Sequence, residues 1–563
     1  MSLEQDETKP AAGLKPTKEP KPRRRFPPVL IWIVVILLLA VVVLVQWFTP
    51  QADFAPGVDG ALANIISLVS LFFASMTIVL WYAFSGLFSA TFRISIIGGA
   101  VAGVIVLGAM LRVDQVSGNM LPVLSFRWAP RPDELLDKPK TDDGPVDLLT
   151  TSDYDFRQFL GPNRDSIVSN IHLNPDWEKH PPRLLWRQPI GAGWSSFATV
   201  NGFAVTMEQR GDDEMVICYE VKTGKPRWFH AVKARHHTTL GDTGPRGTPT
   251  IHEGKVYALG ATGKFHCLDG ATGESLWDHD LLKEFGVKED EDYKAIAWGR
   301  ANSPLIVDDW VVIPAGGPLE GPYVSLVAYQ KDTGEKVWES GETQMSYSSP
   351  SLATIGGVRQ IVSVNEDNVT GHLIGGASSD SKNVGDILWS FDWPGQSNAG
   401  ANVSQAHVLP GDRIFISKGY GKGAAVFQLE QQDDGKFTAD EIWHKPSVMK
   451  TKFTNVVVLD GYVYGLSDGM LECIEVETGR RQWKPRAAQY GHGQILLAGS
   501  LLLVQAESGE VVLVEPAPKQ YVELGRFQAI SGKTWNNMCL YGHYLLVRNA
   551  KEAACYELAL LDP

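Results

Sequence analysis

The sequence predicts an all-β fold, an eight-bladed β-propeller of four-stranded antiparallel blades, preceded by three transmembrane α-helices. Three observations predict it: three uncharged apolar runs near the N-terminus, a Gly-x-x-x-Trp pair that recurs five times, and eight hairpin turns at near-regular spacing. Length alone would suggest otherwise, since 563 residues at one domain per ~150 residues give three or four domains. Repetition lowers that number. Hydrophobic residues at 44%, charged residues at 20%, 55 Gly and 33 Pro describe a folded chain and exclude wholesale disorder and collagen-like structure. The net charge of -13 is uneven: residues 1–112 hold 9 Lys and Arg against 6 Asp and Glu, while the rest hold 42 against 58. A body this acidic repels phosphates, so no nucleic-acid partner is expected.

The apolar runs come first. Val29 to Phe48 is 20 residues long, about the 30 Å a helix needs to cross a bilayer. Asn64 to Phe84 makes a second span, with Trp81 and Tyr82 near its end, where aromatic rings suit the headgroup boundary. Ile94 to Leu111 is the third, bracketed by Arg93 and Arg112. Its Gly99 and Gly103 either let two helices approach closely or reflect how common Gly is in such helices. Lys21, Arg23, Arg24 and Arg25 precede the first span, and basic flanks stay cytoplasmic. Three crossings then place everything after Arg112 on the far side. Arg23 to Phe26 faintly resembles a twin-arginine signal, but the apolar run is too long for a cleaved leader and two more spans follow. The expected organisation is a basic cytoplasmic tail over 1–27, a three-helix membrane module over 28–112, a Pro-rich irregular linker over 113–153 and the propeller over 154–563. The expected location is the inner (cytoplasmic) membrane, multi-pass, with the propeller in the periplasm.

The recurring pairs are Gly224 and Trp228, Gly273 and Trp277, Gly334 and Trp338, Gly385 and Trp389, Gly479 and Trp483; Thr precedes four of the five glycines. Each Gly follows a short alternating strand and supplies the positive φ of a tight hairpin turn. Each Trp ends the next strand, with a large apolar face best buried against a neighbouring repeat. A second marker agrees. Turn residues stand before β-branched or aromatic runs at Gly202, Gly254, Asp309, Gly357, Gly411, Gly461, Gly499 and Gly542, spaced 38 to 55 residues apart. About four short strands per unit is the period of a propeller blade.

Closure follows from the ends of the repeat. The last unit stops after Ala554 to Leu560, short of a fourth strand, whereas Arg183 to Ile190, with Trp186, resembles a fourth strand without partners of its own. Pairing the two closes the ring and removes two exposed edges. Cys218, Cys267 and Cys473 each lie six residues before the turn Gly of their unit, and Cys555 lies in the matching strand of the last. A ring holds such positions beyond disulfide distance, so they are expected to be free and buried; Cys539 has no evident place. Covalent haem is excluded because no Cys-x-x-Cys-His occurs, and no Cys/His cluster has zinc spacing.

With these motifs the chain resembles the pyrroloquinoline quinone (PQQ) repeat family, whose blades carry a Thr-Gly-x-x-x-Trp turn as in Leu268 to Trp277. It is identified as a membrane-anchored bacterial member. The likeness covers 154–563, and Asp155 to Asp165 (DFRQFLGPNRD) looks like the opening signature of the PQQ-binding-like group. The resemblance implies two kinds of function. One is calcium- and PQQ-dependent dehydrogenation of alcohols or sugars in the periplasm. The other is a non-enzymatic propeller, such as the scaffold lipoprotein of outer-membrane β-barrel assembly.

Innermost strands line a propeller's channel. Around it fall Ser196, Thr248, Ser303, Ser349, Gln405, Asn455, Gly493 and Asn536, a polar lining that suits any wet channel as well as a ligand. Toward one mouth stand Arg246, Trp298, Arg300, Asn302, Tyr347, Asn402, Lys452, His492, Lys533 and Trp535. Four of these are cations, which either focus field on a carboxylated ligand such as PQQ or pair with nearby acids. The candidate cofactor-binding residues are Arg246, Trp298, Arg300, Asn302, Lys452 and Trp535, with the Trp rings for stacking. Asp242, His236 and His237 are the catalytic candidates, and Asn302, Asn402 and Asn536 the candidate calcium ligands. Quinone chemistry needs a divalent cation on hard oxygen ligands and a carboxylate base. The channel strands offer no Asp or Glu beside an Asn, and the adjacent Cys pair of many quinoprotein alcohol dehydrogenases is missing. The expected function is therefore a membrane-tethered binding or scaffold module of the cell envelope, with the bilayer and an envelope protein as partners. The alternative is a PQQ- and calcium-dependent dehydrogenase passing electrons to membrane quinone.

Overall fold

The computed structural model describes residues 26–49, 59–142, 144–375 and 384–561; Lys21, Arg23, Arg24 and Arg25 lie outside them. The chain divides into two compact units, residues 1–45 with 66–109, and residues 46–65 with 110–563.

Three helices, α1 (Val29–Phe48), α2 (Gly60–Phe84) and α3 (Ala90–Met110), are long and apolar enough to cross a membrane. Continuous Leu, Ile, Val and Phe drive them, and the hydroxyls within α2 are satisfied locally: Ser75 and Thr77 donate to the carbonyls of Leu71 and Phe73. Among the described residues nothing lies within 4 Å of where a side chain on Gly99 or Gly103 would begin.

The rest is an eight-bladed propeller. Each blade is an antiparallel sheet whose strands follow chain order, the first of them innermost; blade 1, for example, runs Ala198–Val200, Phe203–Arg210, Asp213–Glu220, Pro226–Lys233. The eight markers fall in the turns between first and second strands. Middle strands such as Lys255–Leu259 and Lys264–Asp269 are buried on both faces, since neighbouring blades cover them and Val, Tyr, Phe and Cys fill the gaps between. Blade 8 consists of Cys539–Tyr541, Tyr544–Arg548 and Glu552–Glu557 completed by Arg183–Pro189. The ring closes through this strand. Its register sets Trp186 opposite Cys555, and Arg187 grips Glu552 through two hydrogen bonds of 2.6 and 2.7 Å.

The Gly-x-x-x-Trp pair works between blades. The Trp of one blade lies over the turn glycine of the next: a Cβ on Gly224 would meet Trp186 at 2.7 Å, on Gly334 Trp277 at 2.9 Å and on Gly479 Trp443 at 2.9 Å. These glycines also hold φ of +70°, +76° and +62°, so both conformation and space exclude a side chain. The indole N–H then caps a carbonyl of the receiving blade, as Trp186 does to Val221 at 2.7 Å and Trp443 to Val476 at 2.9 Å. Trp389 departs from this. The turn glycine of blade 5, Gly435, has open space around it, and Trp389 turns its N–H to Gln360 of its own blade.

Three features differ from the sequence reading. The segment expected to be an irregular linker contains a hairpin, Leu111–Val116 with Pro122–Phe126, whose Pro opens a strand where no ladder donor is needed. Val146 and Leu148, ahead of the expected propeller start, pack into the core between blades 1 and 2. Ile167–Val168 adds a parallel fifth strand to blade 7. All five cysteines are free and buried, and Cys539 takes the innermost strand of blade 8.

Candidate functional site

Two belts of hydrogen bonds hold the blades together around the channel. In the first, a backbone N–H of one blade reaches a side-chain oxygen of the next: Ser196 to Thr248 at 3.1 Å, Thr248 to Ser303 at 2.9 Å, Ser303 to Ser349 at 2.9 Å, and Gln405 to Asn455 at 2.9 Å. The polar lining is thus an inter-blade seam. In the second, asparagine amides bridge to backbone carbonyls. Asn302 donates to Ser346 and Ser348, Asn402 to Asn365, Glu366 and Trp393, and Asn536 to Gly193 and Ser195.

Two residues before the first belt the strands turn the same face to the axis. In six consecutive blades these positions are Trp194, Arg246, Ala301, Tyr347, Val403 and Phe453, and all six line one cavity of about 130 Å³. Gln494, Trp535 and Asn537 complete its circumference, and Leu240 and Gly241 also border it. The rings pack in a nearly continuous collar: Trp298 stacks on Tyr347 at 5.0 Å, Phe453 meets Trp535 at 4.9 Å, and Trp535 meets Trp194 at 4.9 Å.

Phe159 of the opening signature lines the same cavity. That signature is fastened on both sides. Asp155 accepts from Ser152 N–H at 2.8 Å and Asn201 N–H at 3.2 Å, and Arg164 donates to the carbonyls of Ser303 and Pro304, both at 2.9 Å. Burial without a carboxylate pushes the Arg164 pKa down to about 9.

The four mouth cations separate by partner. Lys452 forms an ion pair of 2.7 Å with Asp59, Lys533 one of 3.2 Å with Asp242, and Arg300 one of 3.1 Å with Asp292. Burial pushes the Asp59 carboxyl up, but the charge of Lys452 outweighs it and holds the pKa below the usual range. Arg246 alone among the four has no carboxylate partner among the described residues. Its guanidinium donates to the carbonyls of Gly244, at 2.7 Å, and Gly241, and burial pulls its pKa down to about 10.

The catalytic candidates share one hairpin at the mouth, His237–Thr238 paired with Asp242–Thr243 and preceded by His236, but each is committed to a different partner. His236 stacks on Tyr293 at 5.0 Å, and burial pulls its pKa down to about 3, with the charges of Arg246 and His237 adding to the effect. His237 accepts from Arg131 at 3.1 Å and donates to Thr243 at 2.8 Å. Asp242 is spent on Lys533 and the Thr243 N–H.

Of the candidate cofactor residues, Arg246, Trp298 and Trp535 stand on the cavity wall, whereas Arg300 is fully buried against Asp292 and Ala315. Sequence reasoning did not single out Trp194, Phe453 or Phe159; the first two were legible as the positions two residues before the belt.

A calcium–quinone pair does not fit these residues. The three candidate asparagines belong to blades 3, 5 and 8; their amide oxygens, the atoms a calcium ion would take, are buried and unpartnered, but three separate blades hold them around the channel, and among the described residues none hydrogen-bonds a carboxylate. Glu366 instead accepts from the Ser397 N–H at 2.7 Å. No group of three or more His, Cys, Asp and Glu that could hold a metal occurs among the described residues.

Three overlapping stretches, residues 181–284, 212–377 and 375–522, match the family model described as outer membrane protein assembly factor BamB, and together they span more than half of the chain. The chain belongs to this PQQ-repeat family. No curated protein matches the sequence. Among solved structures, BamB from Moraxella catarrhalis is similar at 13% identity and a TM-score of 0.45, covering 68% of this chain and 99% of its own. Quinohemoprotein alcohol dehydrogenase ADHIIG from Pseudomonas putida HK5 is similar at 14% identity and 0.49, covering 76% and 84%. The Comamonas testosteroni quinohemoprotein alcohol dehydrogenase gives 12% and 0.48, covering 73% and 81%. The propeller assignment itself rests on the sheet topology.

Proposed function

We propose that the chain is a membrane-tethered, extracytoplasmic propeller that acts as a non-catalytic binding and scaffold module of the cell envelope. One observation carries this reading: three of the four mouth cations and the one acid of the mouth hairpin, Asp242, are neutralised within the chain. Acid–base groups committed in this way are poor proton carriers, because moving a proton would break a buried pair. What the propeller offers a partner is its surface. Membership in a family described as an assembly factor supports an envelope protein as that partner.

The three apolar helices supply the tether. The basic residues before α1, with Arg93 in the first turn of α3, support an inner-membrane topology in which the N-terminus is cytoplasmic and the propeller periplasmic. Alkaline phosphatase fused after residue 561 is expected to be active, and the same fusion after Leu87, in the second loop, inactive.

For the binding role, photo-crosslinkers at the exposed outer-strand residues Leu276, Val337 and Ile442 are expected to trap one recurrent envelope protein. Purified full-length chain given PQQ and calcium is expected to gain no quinone absorbance and to reduce no dye with alcohols or aldoses. Stoichiometric quinone uptake with alcohol-dependent dye reduction would overturn the reading in favour of a dehydrogenase.

A further inference from the structure

The cavity at the channel axis has no role in a scaffold, yet its chemistry is specific. Its wall is aromatic on most sides, from Trp194, Trp298, Tyr347, Phe453 and Trp535, and one cation, Arg246, stands on it with no direct ion pair among the described residues, Asp242 and Glu214 acting on it only through space. The indole N–H groups of Trp298 and Trp535 are buried and have no partner in the protein. Buried donors are ordinarily satisfied, and a buried cation is ordinarily paired. This wall therefore presents hydrogen-bond donors and positive charge, beside the unpartnered amide oxygens of Gln494 and Asn537, in an apolar frame, the usual composition of a small-molecule site.

Size narrows the ligand further. About 130 Å³ is close to the roughly 150 Å³ of an engineered apolar cavity that takes up benzene, so one six-membered ring fits and a fused three-ring quinone does not. Entry is available at Leu240, which borders the cavity and is 43% exposed.

We propose that this cavity is a binding site for a single-ring aromatic carboxylate, its ring packed among Trp298, Phe453 and Trp535 and its carboxylate on the Arg246 guanidinium. Stacking supplies apolar contact, while the charge-assisted hydrogen bond selects an anion over a neutral ring of the same shape. Binding of this kind requires no metal, redox step or envelope partner.

Benzoate and its neutral isostere benzamide test this with the full-length chain in detergent micelles, read by tryptophan fluorescence and by calorimetry. Benzoate is expected to quench fluorescence saturably at one site per chain, and to bind at least about tenfold more tightly than benzamide. Arg246→Gln is expected to bring the two within about twofold of each other. Ala301→Leu, which fills the cavity without altering charge, is expected to abolish both. The proposal is overturned if benzoate fails to saturate, if benzamide binds equally well to the unaltered chain, or if Ala301→Leu leaves binding intact. The comparison in the unaltered chain stands even where a variant fails to fold. Absence of a crosslinked envelope protein would count against the scaffold reading and leave this result untouched.

Discussion

The indole of Trp228 lies so close over Gly273 that a Cβ on the glycine would sit 2.5 Å from the ring, while its N–H donates to the Gly270 carbonyl at 2.9 Å. One glycine thus meets two demands, a φ of +75° and a flat seat for the neighbouring blade's tryptophan. Through this contact the repeat passes from one blade to the next.

Gly273→Ala is expected to destabilise the propeller by about 2–4 kcal/mol, combining left-handed strain with displacement of a packed ring. Gly411 has a similar φ of +77° but open space around it, so Gly411→Ala is expected to cost only about 1 kcal/mol. Thermal unfolding of the two variants side by side separates conformation from packing.

Closure depends on Arg183–Pro189. Replacing Leu184 and Arg187, which pair in register with Tyr556 and Ala554, by proline disrupts the ladder and removes the Glu552 pair from the last blade, leaving an open edge. Loss of the cooperative melting transition, with oligomers on size-exclusion chromatography, is the expected outcome; an unchanged monomeric melt would refute closure by this strand.

Asp59 and Lys452 form a pair whose lysine side chain is only 3% exposed. Removing one partner strands a buried charge, so Asp59→Asn is expected to cost roughly 3–5 kcal/mol. Asp59→Asn combined with Lys452→Met is expected to recover most of that loss. The double-mutant cycle in denaturant measures the difference.

Arg164 is expected to respond to Met more strongly than a surface arginine. Arg164→Met leaves the Ser303 carbonyl without its side-chain donor and the Pro304 carbonyl with the Thr250 hydroxyl only, a loss of about 2 kcal/mol in unfolding free energy.

Acid should weaken the fold. Burial pulls His372 and His407 down to about 4, and burial with the charge of Lys452 does the same for His492. An unfolded histidine titrates near 6.5, so between pH 6.5 and 4 the unfolded chain binds more protons than the folded one, and stability falls as pH falls. Each such histidine contributes a slope of up to about 1.4 kcal/mol per pH unit. Glu214, pushed up to about 7 by burial, works in the opposite direction, as do Asp133, Asp165 and Asp292, whose carboxyls burial also raises. Melting temperature is expected to drop from pH 6.5 to 4.5, and His372→Gln to flatten that drop.

Much of the propeller was legible because each blade repeats one local rule. Turn glycines with positive φ, docking tryptophans and an unpartnered strand at Arg183 are all local or periodic signals. The hairpin at Leu111–Phe126 was not legible, since its one proline, Pro122, and its mixed charges read as coil and only pairing shows that Pro122 opens a strand. The cavity was half legible. Arg246, Trp298 and Trp535 drew attention by residue type, whereas Phe159 arrives from a segment that belongs to no blade.

By itself the sequence determined the number of blades, the means of closure and the three apolar helices, because these follow from periodicity and hydrophobic length along the chain. Only the tertiary structure decided which mouth charges are neutralised. Lys452 meets Asp59, Lys533 meets Asp242 and Arg246 forms no ion pair among the described residues, because electrostatic pairing depends on distance in space, which a closed ring sets independently of distance along the sequence.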